Sequence, residues 1–200
     1  MKKGCIVSLV VAGIIIISLL IMFSWGKGMY NSMVTQEEGV SSAWSQVENV
    51  YQRRADLIPN LVSTVKGYAA HEKETLEGVV EARAKATSVN IDPSKMNATN
   101  IAAFQKAQDG LSSALSRLMV VVEKYPDLKA NENFLDLQAQ LEGTENRIAV
   151  ERRKFNETAK SYNITIRRFP NNMFAGMFGF AKKDYFKSDA GAEKAPKVEF

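Results

Sequence analysis

The sequence is poor in residues that carry catalytic and redox chemistry, with one histidine and one cysteine among 200 residues. A dinuclear carboxylate site in a helical bundle needs a Glu-x-x-His pair on each of two helices, so His71, near Glu74 and Glu77, lacks a second imidazole. Serine and cysteine nucleophiles have no histidine base beyond His71, and no glycine-rich phosphate loop is present. Because no cysteine follows Cys5, the rest of the chain holds no internal disulfide. We therefore expect a protein that is not an enzyme, with no catalytic residue, no metal and no cofactor.

An excess of charge of one sign is also missing. The formal net charge is +4, and without Lys2 and Lys3 the chain has 24 basic residues against 22 acidic residues. A surface that binds nucleic acid needs a concentrated basic face, which this near-balance does not supply. We therefore expect no nucleic-acid partner.

The chain does have one long uncharged run at its N-terminus. No charged residue lies between Gly4 and Gly26, and the apolar stretch Cys5–Trp25 has 21 residues. As a helix this stretch would measure about 31 Å, which is close to the hydrocarbon thickness of a bilayer. The alternative, a cleaved signal peptide, has a shorter apolar core of about 7–15 residues and a small-residue cleavage site. The run predicts a single-pass transmembrane anchor over residues 1–27, and membrane as a partner.

The charges that flank this run predict its orientation. Lys2, Lys3 and the terminal amine precede it, whereas Lys27 alone follows it directly. Since cytoplasmic flanks carry the extra Lys and Arg residues, we expect a cytoplasmic N-terminus and an extracytoplasmic soluble domain.

Small residues follow one face of the predicted span. Gly4, Ser8 and Ala12 recur every four residues, and such a series permits close packing of two membrane helices. The pattern is therefore a candidate transmembrane packing face and predicts a homo-oligomer. Small residues are also common in spans that do not associate, so this alternative stays open.

The remaining chain has no sustained strand-like alternation and predicts an all-α fold. In the segment from Tyr30 to Thr87, apolar residues keep a seven-residue repeat on both sides of Pro59, at Trp44, Tyr51, Ile58 and Val65. We interpret this segment as one long helix with a kink at the proline. Two helices that meet at Ile58 are the alternative, because residues before proline avoid the α region.

Two further helices are predicted after turn sequences. One spans about residues 101–124, after the linker Asn90–Asn100, and the other spans about residues 133–168, after a break at Pro126. The last helix carries a heptad series at Phe134, Leu141, Ile148, Phe155, Tyr162 and Phe169. Sustained heptads predict an elongated antiparallel bundle of three to four long helices, with coiled-coil-like packing, over residues 28–170.

Polar residues interrupt two of these helices where the interface should be apolar. If the helices are antiparallel, the two interruptions lie side by side and form a candidate interhelical polar cluster of Arg53, Arg54, Asp56, Asn60, Glu142, Glu145, Asn146 and Arg147. One interpretation is a hydrogen-bond and ion-pair network that sets the helix register, since unpaired buried polar groups cost about 1 to 3 kcal/mol each. The other is a site for a ligand or a partner.

The C-terminal segment, residues 171–200, is aromatic and then basic. Its candidate membrane or partner contacts are Phe174, Phe178, Phe180, Lys182 and Lys183. These side chains either fold back onto the bundle, dip into the membrane surface with the lysines near lipid head groups, or dock on a neighbouring protomer.

Five sequence blocks, in order, closely resemble the LemA family: "RRADLIPNLV" (Arg53–Val62), "YPDLKANENF" (Tyr125–Phe134), "LEGTENRI" (Leu141–Ile148), "IRRFP" (Ile166–Pro170) and "PKVEF" (Pro196–Phe200). The resemblance covers nearly everything from about Tyr30 onwards. It implies a bacterial membrane protein with one N-terminal span and a helical-bundle domain, without an established biochemical role. For some family members it implies a link to the organisation of internal membranes in magnetosome-forming bacteria.

The resemblance is not complete. Phe155 and Lys187 stand where it leads us to expect a tyrosine and an acidic residue. It also implies a short N-terminus outside the cell, which is opposite to the orientation that Lys2 and Lys3 predict.

Two functions from different classes are predicted. The first is a membrane-anchored, non-catalytic helical scaffold or interaction protein of the bacterial cell envelope, located in the cytoplasmic (inner) membrane. The second is an accessory subunit that docks onto a partner in the membrane, such as a protease or a transporter.

Overall fold

The computed structural model describes residues 2–187, apart from five side chains: Lys2, Lys3, Cys5, Ile6 and Ser94. The predicted tail with the block Pro196–Phe200 lies outside the described residues. Within this range every regular element is a helix: α1 (Lys2–Tyr68), α2 (Lys73–Ser88), a 3-10 turn (Pro93–Lys95), α3 (Ala98–Val122), α4 (Pro126–Lys129), α5 (Glu132–Arg167) and α6 (Asn171–Phe178). The prediction of an all-α chain is confirmed.

The chain forms two compact units. The first unit consists of Met1–Val40 and Lys160–Lys182, and the second consists of Ser41–Ala159 and Lys183–Phe200. Helices α1 and α5 contribute residues to both units. The division into an anchor, a helical domain and a C-terminal segment stays a prediction.

Helix α1 continues through Pro59 and keeps its heptad seam on both sides of the proline. The four seam residues Trp44, Tyr51, Ile58 and Val65 are all buried. The preserved phase thus indicated correctly that the helix does not restart at the proline.

The expected continuation of this helix to Thr87 is wrong. Helix α1 ends at Tyr68, the chain turns, and α2 begins at Lys73. Leu76 and Val79 of α2 are buried in the same apolar core as the end of α1. This burial outweighs the helical propensity of the residues in the turn, because tertiary packing readily overrides local preference.

One apolar core in the second unit joins residues of α1 to α5. It contains Ile58, Leu61, Val65, Ala69, Leu76, Val79, Ala86, Leu111, Ala114, Leu118, Val122, Leu128, Phe134, Leu137 and Leu141. Hydrogen bonds from Asn131 to Tyr68 and from Arg54 to Glu145 show that α1 and α5 run in opposite directions here, because one partner number falls as the other rises. This arrangement places the two polar interruptions next to each other.

Helices α3 and α5 lie close to their predicted ranges. Asn97 caps the start of α3, where its Oδ1 accepts a hydrogen bond of 3.0 Å from the Asn100 amide. The heptad series of α5 is buried from Phe134 to Tyr162, but its last member, Phe169, is 80 % exposed. The series fails there because α5 ends at Arg167, two residues before Phe169.

The first unit contains the long apolar run of α1. By length and composition, α1 carries one stretch that is apolar enough to cross a membrane, and that stretch is not buried by other parts of the described chain. Its large apolar side chains are exposed at Val7, Leu9, Val10, Val11, Ile14, Ile15, Ile16, Ile17, Leu19, Leu20, Ile21, Met22, Phe23 and Trp25.

Candidate functional site

The buried residue of the predicted polar cluster is Arg54, which is 2 % exposed. It occupies a heptad position between Val47 and Leu61 on α1, so its side chain points into the interface. Its Nη1 donates to Glu145 Oε2 of α5 at 2.8 Å and to Ser112 Oγ of α3 at 2.9 Å. The guanidinium thereby links α1 to both helices.

Gln108 of α3 extends this network to α2. Arg54 Nη2 donates to Gln108 Oε1 at 2.7 Å, and Gln108 Nε2 donates to the Ala86 carbonyl at 3.2 Å. The guanidinium carbon also lies 5.1 Å from the centre of the Tyr51 ring, within cation–π range. One buried cation therefore has charged, polar and aromatic partners, which offset much of its desolvation cost.

The other α1 residues of the predicted cluster do not join this network. Arg53, Asp56 and Asn60 are exposed on α1, where Asp56 accepts a hydrogen bond of 2.8 Å from Gln52 one turn earlier. The physical reason is the helical repeat, because neighbouring residues on a helix point about 100° apart.

The neighbours of Glu145 on α5 also lie outside the network around Arg54. Glu142, Asn146 and Arg147 are exposed, and Glu142 accepts a hydrogen bond of 3.0 Å from Gln138. Of the predicted set, the structure brings together Arg54 and Glu145. Gln108 and Ser112 were missed, although Gln108 is a polar residue on the apolar face of α3.

An open groove lies beside this ion pair in the second unit. Its volume is about 380 Å³, and its lining includes Ser116, Met119 and Glu142 besides the pair itself. The side chain of Glu145 is 58 % exposed, so the carboxylate borders solvent while the guanidinium does not. A ligand or partner that reaches this network would therefore meet the carboxylate first.

Pro59 creates a second polar contact between helices. Because proline has no amide hydrogen, the carbonyl of Ala55 one turn earlier loses its helical hydrogen bond. Arg83 of α2 supplies the missing donor, since its Nε donates to the Ala55 oxygen at 2.7 Å. The sequence pattern did not indicate this role for Arg83, but the position of Pro59 identifies the carbonyl that needs a partner.

An aromatic cluster in the second unit was also missed. The Trp44 ring lies 5.2 Å from Phe104, 5.5 Å from Phe155 and 5.6 Å from Phe186, and Phe186 stacks nearly parallel to it. Phe186 comes from a segment with no regular secondary structure, so no periodicity in the sequence points to it. The cluster therefore includes residues from α1, α3, α5 and the C-terminal segment.

Side chains of α5 hold the backbone of that segment in place. The Phe186 amide donates to Asn156 Oδ1 at 2.9 Å, and Asn156 Nδ2 donates back to the Phe186 carbonyl at 3.0 Å. Arg152 Nη2 donates to the Lys187 carbonyl at 2.9 Å. We call residues 183–187 the C-terminal strap.

The first residue of the strap, Lys183, lies inside the second unit. Lys183 is buried, and its Nζ donates to the Pro93 carbonyl at 3.5 Å. It is therefore not available for the lipid contact that the sequence suggested, because its ammonium group is inside the second unit. Lys182, its neighbour, is exposed.

In the first unit, the predicted aromatic contacts lie beside α1. The Tyr30 ring centre is 5.0 Å from Phe178 and 5.6 Å from Phe180, both edge-to-face. A methyl group added to Gly26 would lie 3.5 Å from Phe174 Cε1, so that ring packs directly on the helix backbone. The C-terminal aromatic residues thus fold back onto α1.

The predicted packing face of α1 is open to the surroundings. Gly4, Ser8 and Ala12 are exposed on one side of the helix. A side-chain carbon added at Gly4 would meet nothing within 4 Å, so this face leaves room for another helix.

Titratable groups in the described range show no arrangement for metal chemistry. Within residues 2–187 no group of three or more His, Cys, Asp or Glu residues lies close enough to share a metal ion, and His71 is exposed in the turn after α1. Burial raises the pKa of Tyr51 against the opposing charges of Arg152 and Arg54. Burial, with a contribution from Glu37, raises the pKa of Tyr162 more strongly. Both phenols are neutral at physiological pH.

Comparison with known proteins gives two kinds of match. The model of the LemA family matches residues 43–200. The chain is 30 % identical over 175 residues to magnetosome protein MamQ 2 of Paramagnetospirillum magneticum, covering 79 % of this chain and 64 % of that protein. It is 26 % identical over 148 residues to protein LemA of Metamycoplasma hominis, covering 74 % of this chain and 64 % of that protein.

The match with MamQ of Magnetospirillum gryphiswaldense is similar, at 30 % identity over 174 residues that cover 78 % of this chain. The chain thus spans just under two thirds of the length of the curated relatives that it matches. The matched region contains the polar network, the proline contact and the strap. Since the family model covers well over half of its residues, the chain belongs to the LemA family.

Proposed function

We propose that this chain is a single-pass membrane protein whose second unit serves as a non-catalytic helical scaffold at the bacterial cell envelope. The observation that carries the proposal is the apolar run of α1, whose side chains are exposed along about 19 residues from Val7 to Trp25. A contiguous apolar surface of this size is not stable in water and needs a bilayer or another protein to cover it.

The family relatives support the membrane part of this proposal. Three of the matched proteins are named as magnetosome proteins, and the family resemblance implies a link to internal membranes for some members. None of these names describes a catalysed reaction. The network around Arg54 also fits a structural role, because the hydrogen bonds of Arg54 Nη1, Arg54 Nη2 and Gln108 Nε2 join α1, α2, α3 and α5.

For the second unit we propose an antiparallel bundle formed by α1, α2, α3 and α5. The Tyr125 hydroxyl donates to Glu72 at 3.2 Å, whereas Gln108 donates to Ala86, so α2 and α3 run in opposite directions. The heptad seam of α1 and the buried series of α5 support coiled-coil-like packing. Such a bundle presents long, rigid surfaces for partners without a catalytic centre.

Orientation is a separate proposal, in which the N-terminus is cytoplasmic and the second unit is extracytoplasmic. The excess of Lys2 and Lys3 over Lys27 supports it, whereas the family resemblance implies the opposite. Protease added to intact spheroplasts distinguishes the two orientations. We expect cleavage of the second unit from outside, and full protection of that unit would refute this orientation without affecting the span.

The span itself is tested by extraction of membranes with alkaline carbonate. The full chain is expected to stay in the membrane pellet, whereas a variant that lacks residues 1–27 is expected in the supernatant with helical circular dichroism. A matched control replaces Ile16 by Leu, which keeps the run apolar and is expected to leave the pellet fraction unchanged. Release of the full chain by carbonate would refute the proposed span.

The alternative function is an accessory subunit of a membrane protease or transporter. One observation favours it: a groove of about 640 Å³ in the second unit, lined by residues of α1 and α2 that include Val62, Leu76 and Val80. Purification of the full chain in a mild detergent separates the two functions. A homomeric particle supports the scaffold, whereas a second protein at fixed stoichiometry supports the subunit.

A further inference from the structure

Helix α6 has an apolar face that nothing in the described chain covers. Met173 and Met177 lie one turn apart on this face and are 63 % and 74 % exposed, and Phe169 immediately before the helix is also exposed. Phe174 packs on α1 beside Gly26, and Ala175, the next residue, is buried. An eight-residue helix with its polar content limited to its first two residues thus presents apolar side chains on both faces.

The position of α6 along α1 is fixed by two contacts. Phe174 packs beside Gly26, which directly follows the apolar run, and Phe178 contacts Tyr30 one turn later. Trp25, at the end of the run, is 54 % exposed. Helix α6 therefore lies at the level where the proposed span leaves the bilayer, which is where amphipathic aromatic residues are enriched in membrane proteins.

The charges of the first unit point to the chemistry of the surface that would cover this face. The unit has seven basic residues (Lys2, Lys3, Lys27, Lys160, Arg167, Arg168 and Lys182) and two acidic residues, Glu37 and Glu38. This leaves nineteen basic and twenty acidic residues for the second unit. The positive net charge of the whole chain thus belongs to the unit that contains the span. Lys2 and Lys3 precede the apolar run, at the end away from α6, so five of these basic residues and both acidic residues lie on the α6 side of the run.

We propose that α6 is an interfacial helix that lies in the head-group layer of an anionic membrane, next to the span. Met173, Met177 and Phe169 enter the boundary of the acyl chains, while the exposed Arg167 and Arg168 contact lipid phosphates. The inference rests on the proposed span, because the span brings α6 to the membrane. Lipid is the occupant that the charge excess and the continuity with the apolar run favour over a second copy of this chain.

Spin labels at single cysteines test this proposal in the full chain. With Cys5 replaced by serine, nitroxides are placed one at a time at Met177 on α6, Ile16 in the run and Val120, an exposed residue of α3. The protein is reconstituted in vesicles of phosphatidylcholine and phosphatidylglycerol. Collision of each label with oxygen, which partitions into lipid, and with a water-soluble nickel chelate is then measured.

We expect the oxygen-to-nickel collision ratio at position 177 to be several-fold higher than at position 120 and lower than at position 16. A ratio at 177 equal to that at 120 would overturn the proposal. So would a label at 177 that is shielded from both reagents, since that result indicates cover by protein. A low ratio at position 16 would instead refute the span, so the two failures are distinguishable.

A double variant tests whether Arg167 and Arg168 contact lipid phosphates. Arg167→Gln combined with Arg168→Gln is expected to lower the oxygen-to-nickel ratio at 177 and leave that at 16 unchanged. The matched control changes Arg153, an exposed arginine of the second unit, to Gln and is expected to leave both ratios unchanged. An unchanged ratio at 177 in the double variant would overturn the assignment of these arginines to lipid phosphates.

Discussion

Arg54 shows how a single charged residue is kept inside a helical interface. Burial of an unpaired guanidinium is costly, but here Nη1 and Nη2 both have oxygen partners and the ring of Tyr51 faces the cation. A pair of this kind fixes which residues lie opposite each other, because a shift of either helix would leave the buried cation without its oxygen partners. The hydrogen bonds of Arg54 therefore favour one register of the helices over shifted ones.

Removal of this cation is the first prediction. Arg54→Met is expected to lower the free energy of unfolding by about 2–4 kcal/mol, because Gln108 and Ser112 lose their buried partner. The adjacent Arg53→Met, on the exposed face, is expected to change it by less than about 0.5 kcal/mol. Denaturant unfolding of both variants in detergent measures the difference, and equal losses would contradict the prediction.

A double-mutant cycle isolates the ion pair within this network. Because the Glu145 side chain is 58 % exposed, solvent screening limits its coupling with Arg54 to about 0.5–1 kcal/mol. A coupling indistinguishable from zero would indicate that Ser112 and Gln108 carry the whole effect.

The buried tyrosines give a prediction for alkaline pH. The pKa of Tyr162 is raised by burial and by the Glu37 carboxylate, so the folded chain keeps this proton at pH values where the unfolded chain, with a pKa of about 10, has lost it. Stability from this group is therefore complete below about pH 10 and falls as the pH rises further. Unfolding measured between neutral and strongly alkaline pH is expected to show this loss.

Tyr162→Phe provides the control. Since phenylalanine does not titrate, the loss of stability above about pH 10 is expected to be smaller in this variant. Tyrosinate absorbance reports the same event, and the group that ionises last in the native chain is expected to be absent from the variant. An unchanged alkaline profile would show that other groups dominate.

Among the elements, α1 shows how a proline is accommodated in a long helix. Pro59 leaves the Ala55 carbonyl without its helical donor, and Arg83 of α2 supplies one. Arg83→Met is expected to cost about 1–2 kcal/mol, because it leaves that carbonyl unsatisfied. In a Pro59→Ala background the helix regains its own amide donor, so the same change is expected to cost less than about 0.5 kcal/mol.

This comparison of backgrounds separates the contact with the Ala55 carbonyl from the other effects of each substitution on stability. The free energy of unfolding is measured for the two single variants and the double variant. Equal costs of Arg83→Met with and without Pro59 would show that the Ala55 carbonyl is not the reason for its effect.

The C-terminal strap is the second element with a testable role. Phe186→Ala removes a ring that stacks on Trp44 and contacts Phe155, and is expected to cost about 3–4 kcal/mol. Lys187→Ala is the control, because its backbone carbonyl and not its side chain accepts the bond from Arg152. Limited proteolysis is expected to cleave near residue 183 faster in Phe186→Ala, and equal cleavage rates would contradict the role of the strap.

These elements also show what the sequence can and cannot predict. The seven-residue repeat identified the buried faces of α1 and α5, because helical geometry alone determines which residues share a face. The turn after Tyr68 contains no glycine or proline, so only packing of α2 on the core explains it. Phe186 and Arg83 were missed because their partners are distant in the sequence and follow no repeat. Arg54 and Glu145 stood out as polar residues on apolar seams, which indicated the candidate site.

For the whole molecule, the exposed face of Gly4, Ser8 and Ala12 predicts self-association through α1. Ser8→Leu adds a large side chain in the middle of this face, so the particle measured by light scattering in detergent is expected to shrink towards one protomer. Val7→Leu changes a neighbouring exposed position without filling the face and is expected to keep the particle size. The same size for both variants would show that this face does not hold protomers together.

The unequal distribution of charge between the units has a practical consequence. With nineteen basic and twenty acidic residues, the second unit has almost no net charge at neutral pH. Electrostatic repulsion between copies keeps proteins dispersed, and it vanishes as the net charge approaches zero. In the proposed membrane arrangement, with the first unit held in lipid, the second unit therefore has little long-range electrostatic repulsion to oppose crowding of its copies along the membrane.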